Sequence, residues 1–499
     1  MRRLLRALKR TLSPPDDLTS RTIVGGMWAA FTNGGGHALQ LVLLMVLARL
    51  LSPSDFGLFG IALLALSALQ RFSRLGFDTA LIQRKEADVN SYLDTVFTLQ
   101  ILRGVVIAGV AYLAAPVVAG FFGEPRATLL LRVLALSTLF RVVYNPGTVY
   151  FEKELEFHKQ FVFSLSSTVT RVVVSIGYAL VDPTVWALAA GMLAGNGVKM
   201  LVSYAIHDYR PWPRFDRDRA AELVGYGKWI FGSSVVSFLY SEGDDILVGR
   251  LLGSGALGAY QLAYRLSNAP ATEVAHTISR VTMPAYSKVQ DDTATLREGF
   301  HRVLRLSSLV SIPIGVGIAV VAPAFVPTVL GDGWETMIAP MQVLALFGVL
   351  RSIRTCTSPL LRAVGRPDYV AKIHAVRLGV MAVAILPLTN AFGLVGTALS
   401  VLLTSAVGIP IATALVVRIL DDDLRSLVAI VGFPAAGSLI MGGCAFVVRR
   451  YVTETVGTLP ALVAAVLVGV IVYGGVMLTI EQRFEIGLEE FVGHLRRSF

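Results

Sequence analysis

Apolar runs of about twenty residues recur along nearly the whole of this 499-residue chain, separated by short polar connections, and a helix of that length spans the hydrocarbon core of a bilayer. In hydrocarbon every backbone N–H and C=O must find its partner within the segment, so continuous runs of this kind are confined to a bundle of membrane helices. Only 16% of the residues are charged, against roughly 25% in soluble domains, which leaves no room for a large soluble domain. The expected fold class is an all-α integral membrane protein with about fourteen transmembrane spans. Between breakers such as Pro53, Pro125, Pro183 and Gly331 they fall near 23–50, 55–81, 92–120, 128–149, 159–181, 184–206, 222–251, 256–285, 302–322, 338–362, 370–389, 392–418, 427–448 and 457–480.

The basic residues orient these spans. The opening "MRRLLRALKRTL" is basic, but the run after it is too long for a secretory signal and has no small-residue cleavage pattern; the opening reads as a basic amphipathic segment on the cytoplasmic surface. Arg84 and Lys85 follow span two, Lys153 and Lys159 span four, and Arg210, Arg214, Arg217 and Arg219 span six. Lys288, Arg297, Arg362, Arg366, Lys372, Arg418, Arg425, Arg483, Arg496 and Arg497 continue the pattern, while the opposite side carries mainly Arg126, Arg449 and Arg450. Both termini are therefore expected in the cytoplasm, with the chain in the cell inner membrane. The net charge of +10 then reflects anionic lipid headgroups, and with no aromatic-interleaved basic domain nucleic acid is not an expected partner. Cys356 and Cys444 fall inside apolar runs and are expected to be core residues without a disulfide.

A stretch of the chain occurs twice. Gly26, Trp28 and "RLLSPSDFGLF" match Gly227, Trp229 and "RLLGSGALGAY" at one constant offset of about 201 residues, as in a duplicated unit. The offset covers six spans, an even number, so the copies enter the membrane in the same sense and are parallel repeats related by an axis along the membrane normal. The organisation expected is a basic segment over 1–22, a first lobe over 23–206, a cytoplasmic linker over 207–221, a second lobe over 222–418, two added helices over 419–480 and an amphipathic tail over 481–499.

No GxSxG, GxxxxGK[ST], HExxH or CxxC occurs, and Gly34–Gly36 lie within an apolar run, where close packing or a bend explains them better than phosphate cradling. Charge inside the spans is the feature that points to chemistry. Arg71, Arg74 and Asp78 share one helix face, as do Arg265, Glu273, His276 and Arg280; Arg351 with Arg354 and His374 with Arg377 repeat the pattern. An arginine facing lipid costs about 2.5–3.5 kcal/mol, so these groups must face the interior or snorkel. Their depth suits capture of an anion from the cytoplasmic side, and the arginine fork suits phosphate oxygens. The competing account is internal pairing, Arg74 with Asp78 and Glu273 with Arg280. Glu242, Asp244 and Asp245 on span seven offer a carboxylate to a coupling cation, Na+ or H+, or a partner to Arg250 or Arg265. Asn33, His37 and Gln40, and Asn196, Lys199 and Ser203, form polar stripes, and Pro270, Pro313, Pro359 and Pro410 mark candidate bends. No resident cofactor is implied.

The segments "ARLLSPSDFGLFGIALLALSALQRFSRLGFDTALIQR" and "DDILVGRLLGSGALGAYQLAYRLSNAP", with "YNPGTVYFEKELEFHKQF" between them, resemble the signature regions of polysaccharide transporters, the O-antigen-type flippases of the multidrug/oligosaccharidyl-lipid/polysaccharide exporter superfamily. The resemblance implies a V-shaped pair of six-helix bundles, open alternately to each side, that moves a polyprenyl-linked oligosaccharide across the cytoplasmic membrane for lipopolysaccharide or other surface-glycan assembly. It also implies a cationic cavity for the headgroup, a lipid tail left in the bilayer along a groove at the last two helices, and Arg49, Gly57, Asp245, Gly249, Arg250, Gly253, Gly258 and Tyr260 as family features. A monomer working beside other glycan-assembly proteins is expected. The site expected from the residues is Arg71, Arg74, Arg265, Arg280, Arg351, Arg354 and Arg377 for substrate, with Asp78, Glu242, Asp245 and Glu273 for ion coupling. Two other readings remain: a cation-coupled multidrug extruder, which would carry an acidic cavity and fewer arginines, and a membrane glycan polymerase or ligase, which would carry a large extracytoplasmic loop.

Overall fold

A computed structural model describes residues 18–73, 86–154, 156–212 and 227–484. Among the described residues the secondary structure is helical throughout. The long helices are α1 (Leu18–Leu50), α2 (Pro53–Phe72), α3 (Glu86–Phe122), α4 (Ala127–Val142), α5 (Phe157–Val181), α6 (Trp186–Ile206), α7 (Gly227–Lys288), α8 (Thr293–Phe325), α9 (Ile338–Ala363), α10 (Pro367–Leu420), α11 (Leu424–Thr455) and α12 (Thr458–Phe484). By length and composition, 8 of the described helices are apolar enough to cross a membrane. Spans seven and eight are the two limbs of α7, and spans eleven and twelve the two limbs of α10. Most of the basic N-terminal segment, most of the linker and most of the C-terminal tail lie outside the described residues, as do Arg74 and Asp78.

The sharp breaks inside helical runs fall at glycines. Gly253 (φ 87°, ψ 176°) breaks α7 and Gly393 (φ 57°, ψ −133°) breaks α10, conformations that a Cβ would forbid. Pro313, Pro359 and Pro410 lie within continuous helical runs. Span four is shorter than the expected 128–149: α4 stops at Val142 and a 3-10 turn follows over Pro146–Val149. Pro146 disfavours helix at the residue before it, and the Asn145 side chain accepts from Gly147 N at 2.9 Å, closing the turn. Cys356 is buried as expected, but Cys444 is exposed: one face of a bundle helix meets lipid, and an apolar setting does not make a residue core.

The chain divides into two compact units, Met1–Gly258 and Ala259–Phe499, with the boundary inside α7. In the first unit α3 packs on α4, α1 on α5, α5 on α6 and α4 on α6. The last of these helices carries a GxxxG pair, Gly191 and Gly195, and a Cβ there would lie 1.9 Å from Ser175 Oγ and 3.0 Å from the Ser167 carbonyl oxygen. Small residues therefore bring α6 to backbone distance of α5. In the second unit α8 packs on α9 and α11, α9 on α10, and α11 on α12. A core of Phe300, Leu304, Leu360, Val416 and Leu427 lies at their meeting.

The duplicated segments meet inside the first unit. Ser52 caps α2, its hydroxyl accepting from Asp55 N while Asp55 Oδ2 accepts from Ser52 N at 3.1 Å, with Pro53 at the first helical position, the capping box that "SPSD" spells out. Ser54 and Ser254 hydroxyls lie 3.2 Å apart, Ser254 donates to Glu124, and Arg126 donates to Ser54 at 3.2 Å. A Cβ on Gly57 would stand 1.7 Å from the Ser254 carbonyl oxygen, and one on Gly258 would stand 2.0 Å from the Pro53 carbonyl oxygen. The two clashes are the same contact seen from either copy, because Pro53 and Ser254, like Gly57 and Gly258, are separated by the repeat offset. Each copy's glycine makes room for the other copy's backbone.

Candidate functional site

The first unit pairs two of the residues singled out from sequence. Arg71, at the end of α2, donates to Glu242 Oε1 at 2.7 Å and to Ser241 Oγ at 2.6 Å on the first limb of α7, and its guanidinium lies 5.8 Å from the Phe238 ring centroid. Phe72 meets the same ring edge-on at 5.3 Å. The pair is half-buried, with side-chain exposures of 32% and 23%. It joins the candidate anion ligand to the candidate ion-coupling carboxylate, so each neutralises the other. Asp244, two residues on, is buried and Asp245 half-buried.

Beyond Arg71, α2 ends in a cluster of cations that the sequence reading passed over. Arg103 on α3 donates to the Gln70 carbonyl at 2.8 Å and to Ser73 Oγ at 3.0 Å, holding the last turn of α2, as a cation at a helix C-terminus does. Arg141 on α4 donates to Gln70 Oε1 at 2.8 Å. Next to Arg141 opens a cavity of about 600 Å³ between α3, α4, α5 and α6, with the Asn145–Pro146 turn at one end. Its charged lining is Arg141, Arg171 and Lys199, with Gln100, Gln160 and Asn196 among its neutral polar groups. The spacing Gln160, Phe163, Ser167, Arg171 is one face of α5, and Met192, Asn196, Lys199 one face of α6. Lys199 and Asn196 were read as a polar stripe; Arg103, Arg141 and Arg171 carried the same signal, a cation inside an apolar run, and were missed.

The start of the linker straps this end of the unit. Asn145 N donates to Ser203 Oγ at 2.9 Å, Asn145 Nδ2 to the Tyr209 carbonyl at 2.6 Å, and Tyr209 Oη to Asp94 Oδ1 at 2.5 Å. Trp212 N reaches the same carboxylate at 3.1 Å. His207 stacks on Tyr150 with ring centroids 5.9 Å apart and accepts from Tyr209 N through Nδ1 at 3.0 Å. Burial and the nearby Lys159 hold its pKa below the ordinary histidine value, against the opposing pull of Asp208, Glu154 and Glu156, which keeps Nδ1 an acceptor. Burial and the bond to Asp94 push the Tyr209 phenol above its ordinary range.

In the second unit Arg351 on α9 donates to Tyr264 Oη at 3.3 Å, and Tyr264 packs on Tyr260 and Phe347 at 6.5 and 6.0 Å. Arg354 is half-buried one turn on and Arg265 is exposed. Arg377 is 1% exposed, enclosed between the limbs of α10, where it donates to Ser405 Oγ at 2.9 Å. Gly408 leaves the room: a Cβ there would stand 2.8 Å from Arg377 Cδ. Arg280 and Glu273 sit on the second limb of α7; their side chains lie outside the described set. An apolar cavity of about 300 Å³ lies between α8, α9, the second limb of α10 and α11, lined by Leu304, Ile353, Val416 and Val428. Among the described residues no cluster of metal ligands occurs.

With this geometry the chain can be compared with known proteins. Residues 46–339 match the family described as polysaccharide biosynthesis protein. A lipopolysaccharide biosynthesis protein of Escherichia coli (strain K12), WzxC, is 28% identical over 392 residues, 78% of this chain and 80% of that one. A succinoglycan biosynthesis transport protein of Rhizobium meliloti (strain 1021), ExoT, is 24% identical over 340 residues, 68% of each. Among solved structures, the lipid II flippase MurJ in an inward closed conformation superposes with a TM-score of 0.73 at 15% identity, over 92% of this chain and 99% of that one. At that identity the likeness is one of fold.

Proposed function

Since this chain belongs to the polysaccharide biosynthesis protein family, we propose that it is a transporter, a flippase that carries a polyprenyl-(pyro)phosphate-linked oligosaccharide from the cytoplasmic to the outer leaflet by alternating access. The observation that carries the reading is the family match together with basic side chains held at mid-helix, Arg171 and Arg351, inside apolar helices. Cations at that depth are expensive against lipid and serve a polar, anionic passenger. Names borne by relatives, a transport protein and a lipopolysaccharide biosynthesis protein, agree. The headgroup would cross screened from lipid by polar side chains while the tail stays in hydrocarbon, for which the apolar cavity beside α11 offers a surface.

The finer features of the proposal follow from the charge pattern. The protein resides in the inner membrane with both termini in the cytoplasm, acts as a monomer beside other glycan-assembly proteins, and couples transport to Na+ or H+ through carboxylates on α7. The multidrug-extruder reading loses weight because Arg71 neutralises Glu242 within the first unit, leaving that carboxylate less suited to a drug cation.

Deletion of the gene tests the reading. Lipid-linked oligosaccharide should accumulate on the cytoplasmic leaflet, and re-expression should clear it; accumulation of unlinked precursor, or none, overturns a flippase. Alanine at Arg71, Arg74, Arg280, Arg351, Arg354 or Arg377, one at a time, should in at least one case abolish surface glycan at normal protein level.

A further inference from the structure

The first residues of the linker are tied into the first unit and hold one large aromatic outward. After α6 ends at Ile206, Asn145 Nδ2 donates to the Tyr209 carbonyl at 2.6 Å, and Tyr209 Oη and Trp212 N both donate to Asp94 Oδ1, at 2.5 and 3.1 Å. Trp212 stands between two prolines in "RPWPR", which keep the residue before each of them extended. The strap is thus anchored on either side of Arg210, yet Trp212 is 73% exposed. An apolar ring carried outward on a fastened backbone gains nothing from water; it implies a surface to meet. Depth identifies that surface. The membrane-length apolar stretch of α3 runs over Leu93–Phe122, and Asp94, which anchors Trp212, lies at its very start. At the same end His207 lies 5.7 Å from the Phe151 ring, just ahead of the apolar stretch of α5, Phe157–Val181. The strap therefore sits where hydrocarbon gives way to headgroups, a layer about 5–8 Å thick. An indole suits that layer, because its ring is apolar and its N–H is polar.

We propose that the His207–Trp212 strap docks the first unit on the headgroup layer of a phospholipid leaflet, with the Trp212 ring at the level of the acyl carbonyls and Arg210 among the phosphates. Arg210 is exposed. Its Nη1 serves the His207 and Tyr209 carbonyls at 2.6 and 3.1 Å, and a guanidinium has further donors for phosphate oxygens. A protein partner fits the observations less well: one indole covers about 150–250 Å², a fraction of the roughly 800 Å² that each side of a stable protein interface buries. A bilayer requires no matched patch. Asp94 acts here as a positioning residue, since its carboxylate sets the depth of the ring without touching lipid. Docking fixes the depth at which the linker leaves α6. Which leaflet is met rests on the proposed orientation of the chain; contact with a bilayer surface does not.

The full chain is reconstituted in phosphatidylcholine nanodiscs, and the tryptophan emission of Trp212→Phe is subtracted from that of the parent. The difference signal should be quenched by lipid brominated near the carbonyl end of the acyl chain, far less by lipid brominated at the methyl end, and little by aqueous acrylamide. Asp94→Ala should shift it towards acrylamide quenching, and Asp94→Asn, which keeps an acceptor oxygen for Tyr209 Oη and Trp212 N, should restore the parent pattern. Should Asp94→Ala not fold, Tyr209→Phe removes one of the two bonds to Asp94 and should give a smaller shift in the same direction. The proposal is overturned if acrylamide quenches the parent difference signal and brominated lipid does not, or if methyl-end bromine acts as strongly as carbonyl-end bromine. It is equally overturned if neither quencher acts, which would mean that protein covers the ring, or if the folded Asp94 or Tyr209 variant keeps the parent pattern. The leaflet is read separately. Trp212→Cys, in a background lacking Cys356 and Cys444, should react with an impermeant maleimide only after cells are opened; reaction in intact cells would reverse the proposed orientation and leave the docking results standing.

Discussion

Replacing Gly57 by alanine tests the interlock between the two copies of the repeat. The added Cβ would start 1.7 Å from the Ser254 carbonyl oxygen and must reach at least 3.0 Å, a separation of about 1.3 Å between two backbones. No side chain can yield, because the opposing atom is main chain. Overpacking of this kind costs about 1–3 kcal/mol. The shift also loosens the Ser54–Ser254 and Ser254–Glu124 contacts, each about 0.5–1.5 kcal/mol net. A total of about 2–6 kcal/mol would reduce the population of the interlocked arrangement by about 30- to 20,000-fold. Because Gly57 and Gly258 abut the same pair of backbones, one displacement relieves both clashes. Gly57→Ala with Gly258→Ala should therefore cost far less than the sum of the two single changes. The assay is oxidative cross-linking of Ser54→Cys with Ser254→Cys, whose parent hydroxyls are 3.2 Å apart, in a background lacking Cys356 and Cys444. Gly57→Ala should slow cross-linking by at least about tenfold, whereas Gly255→Ala, where a Cβ meets nothing within 4 Å, should not. Parent-like cross-linking and thermal stability in Gly57→Ala would refute the reasoning.

Three further expectations follow from single contacts. The Arg71–Glu242 pair is about a third exposed, so a thermal-unfolding double-mutant cycle with Arg71→Gln and Glu242→Gln should give a coupling of about 1 kcal/mol that shrinks with salt; strict additivity would remove the pair from the account. Gly408→Ala should lower the melting temperature through a core overpacking cost of about 1–3 kcal/mol, and adding Arg377→Ala should make the glycine change nearly silent, since the clashing atom is Arg377 Cδ. His207 has a folded-state pKa below its ordinary value of 6.5, so folding favours the neutral ring. The strap at Tyr209–Trp212 is accordingly secure above that value and loosens as pH falls below it, which amide hydrogen exchange, corrected for intrinsic rates, will read. A pH step that persists unchanged in His207→Phe would assign it to another group.

Much of the scaffold was legible in the sequence. Hydropathy placed the helices to within a few residues at most ends. The error at α4 came from treating an apolar stretch as helix through Asn145–Pro146, where turn chemistry outweighs hydropathy. The candidate site was legible only in part. Arg71 and Glu242 were each singled out, but for separate tasks; that they form one ion pair depends on how α2 and α7 are rotated towards each other. Arg171 was overlooked because the run around it offers no second charge nearby in sequence; its companions come from α4 and α6. Arg377 was expected to line an open space and is enclosed instead, since a glycine one helix limb away leaves room for it.

The sequence by itself determined that this is a helical membrane bundle, that part of it is duplicated at a fixed offset, and that cations lie at depths where lipid does not tolerate them. These are properties of the chain read one segment at a time, set by hydrophobicity, helical period and turn chemistry. Only the tertiary structure decided why the repeat keeps Gly57 and Gly258, which cations have neutral anchors and which have a carboxylate, and that Arg141, Arg171 and Lys199 share one cavity. A charge's partners are fixed by which helices pack and by their rotation about their axes. Those angles arise from contacts between residues far apart in the chain, to which no local pattern of the sequence is sensitive.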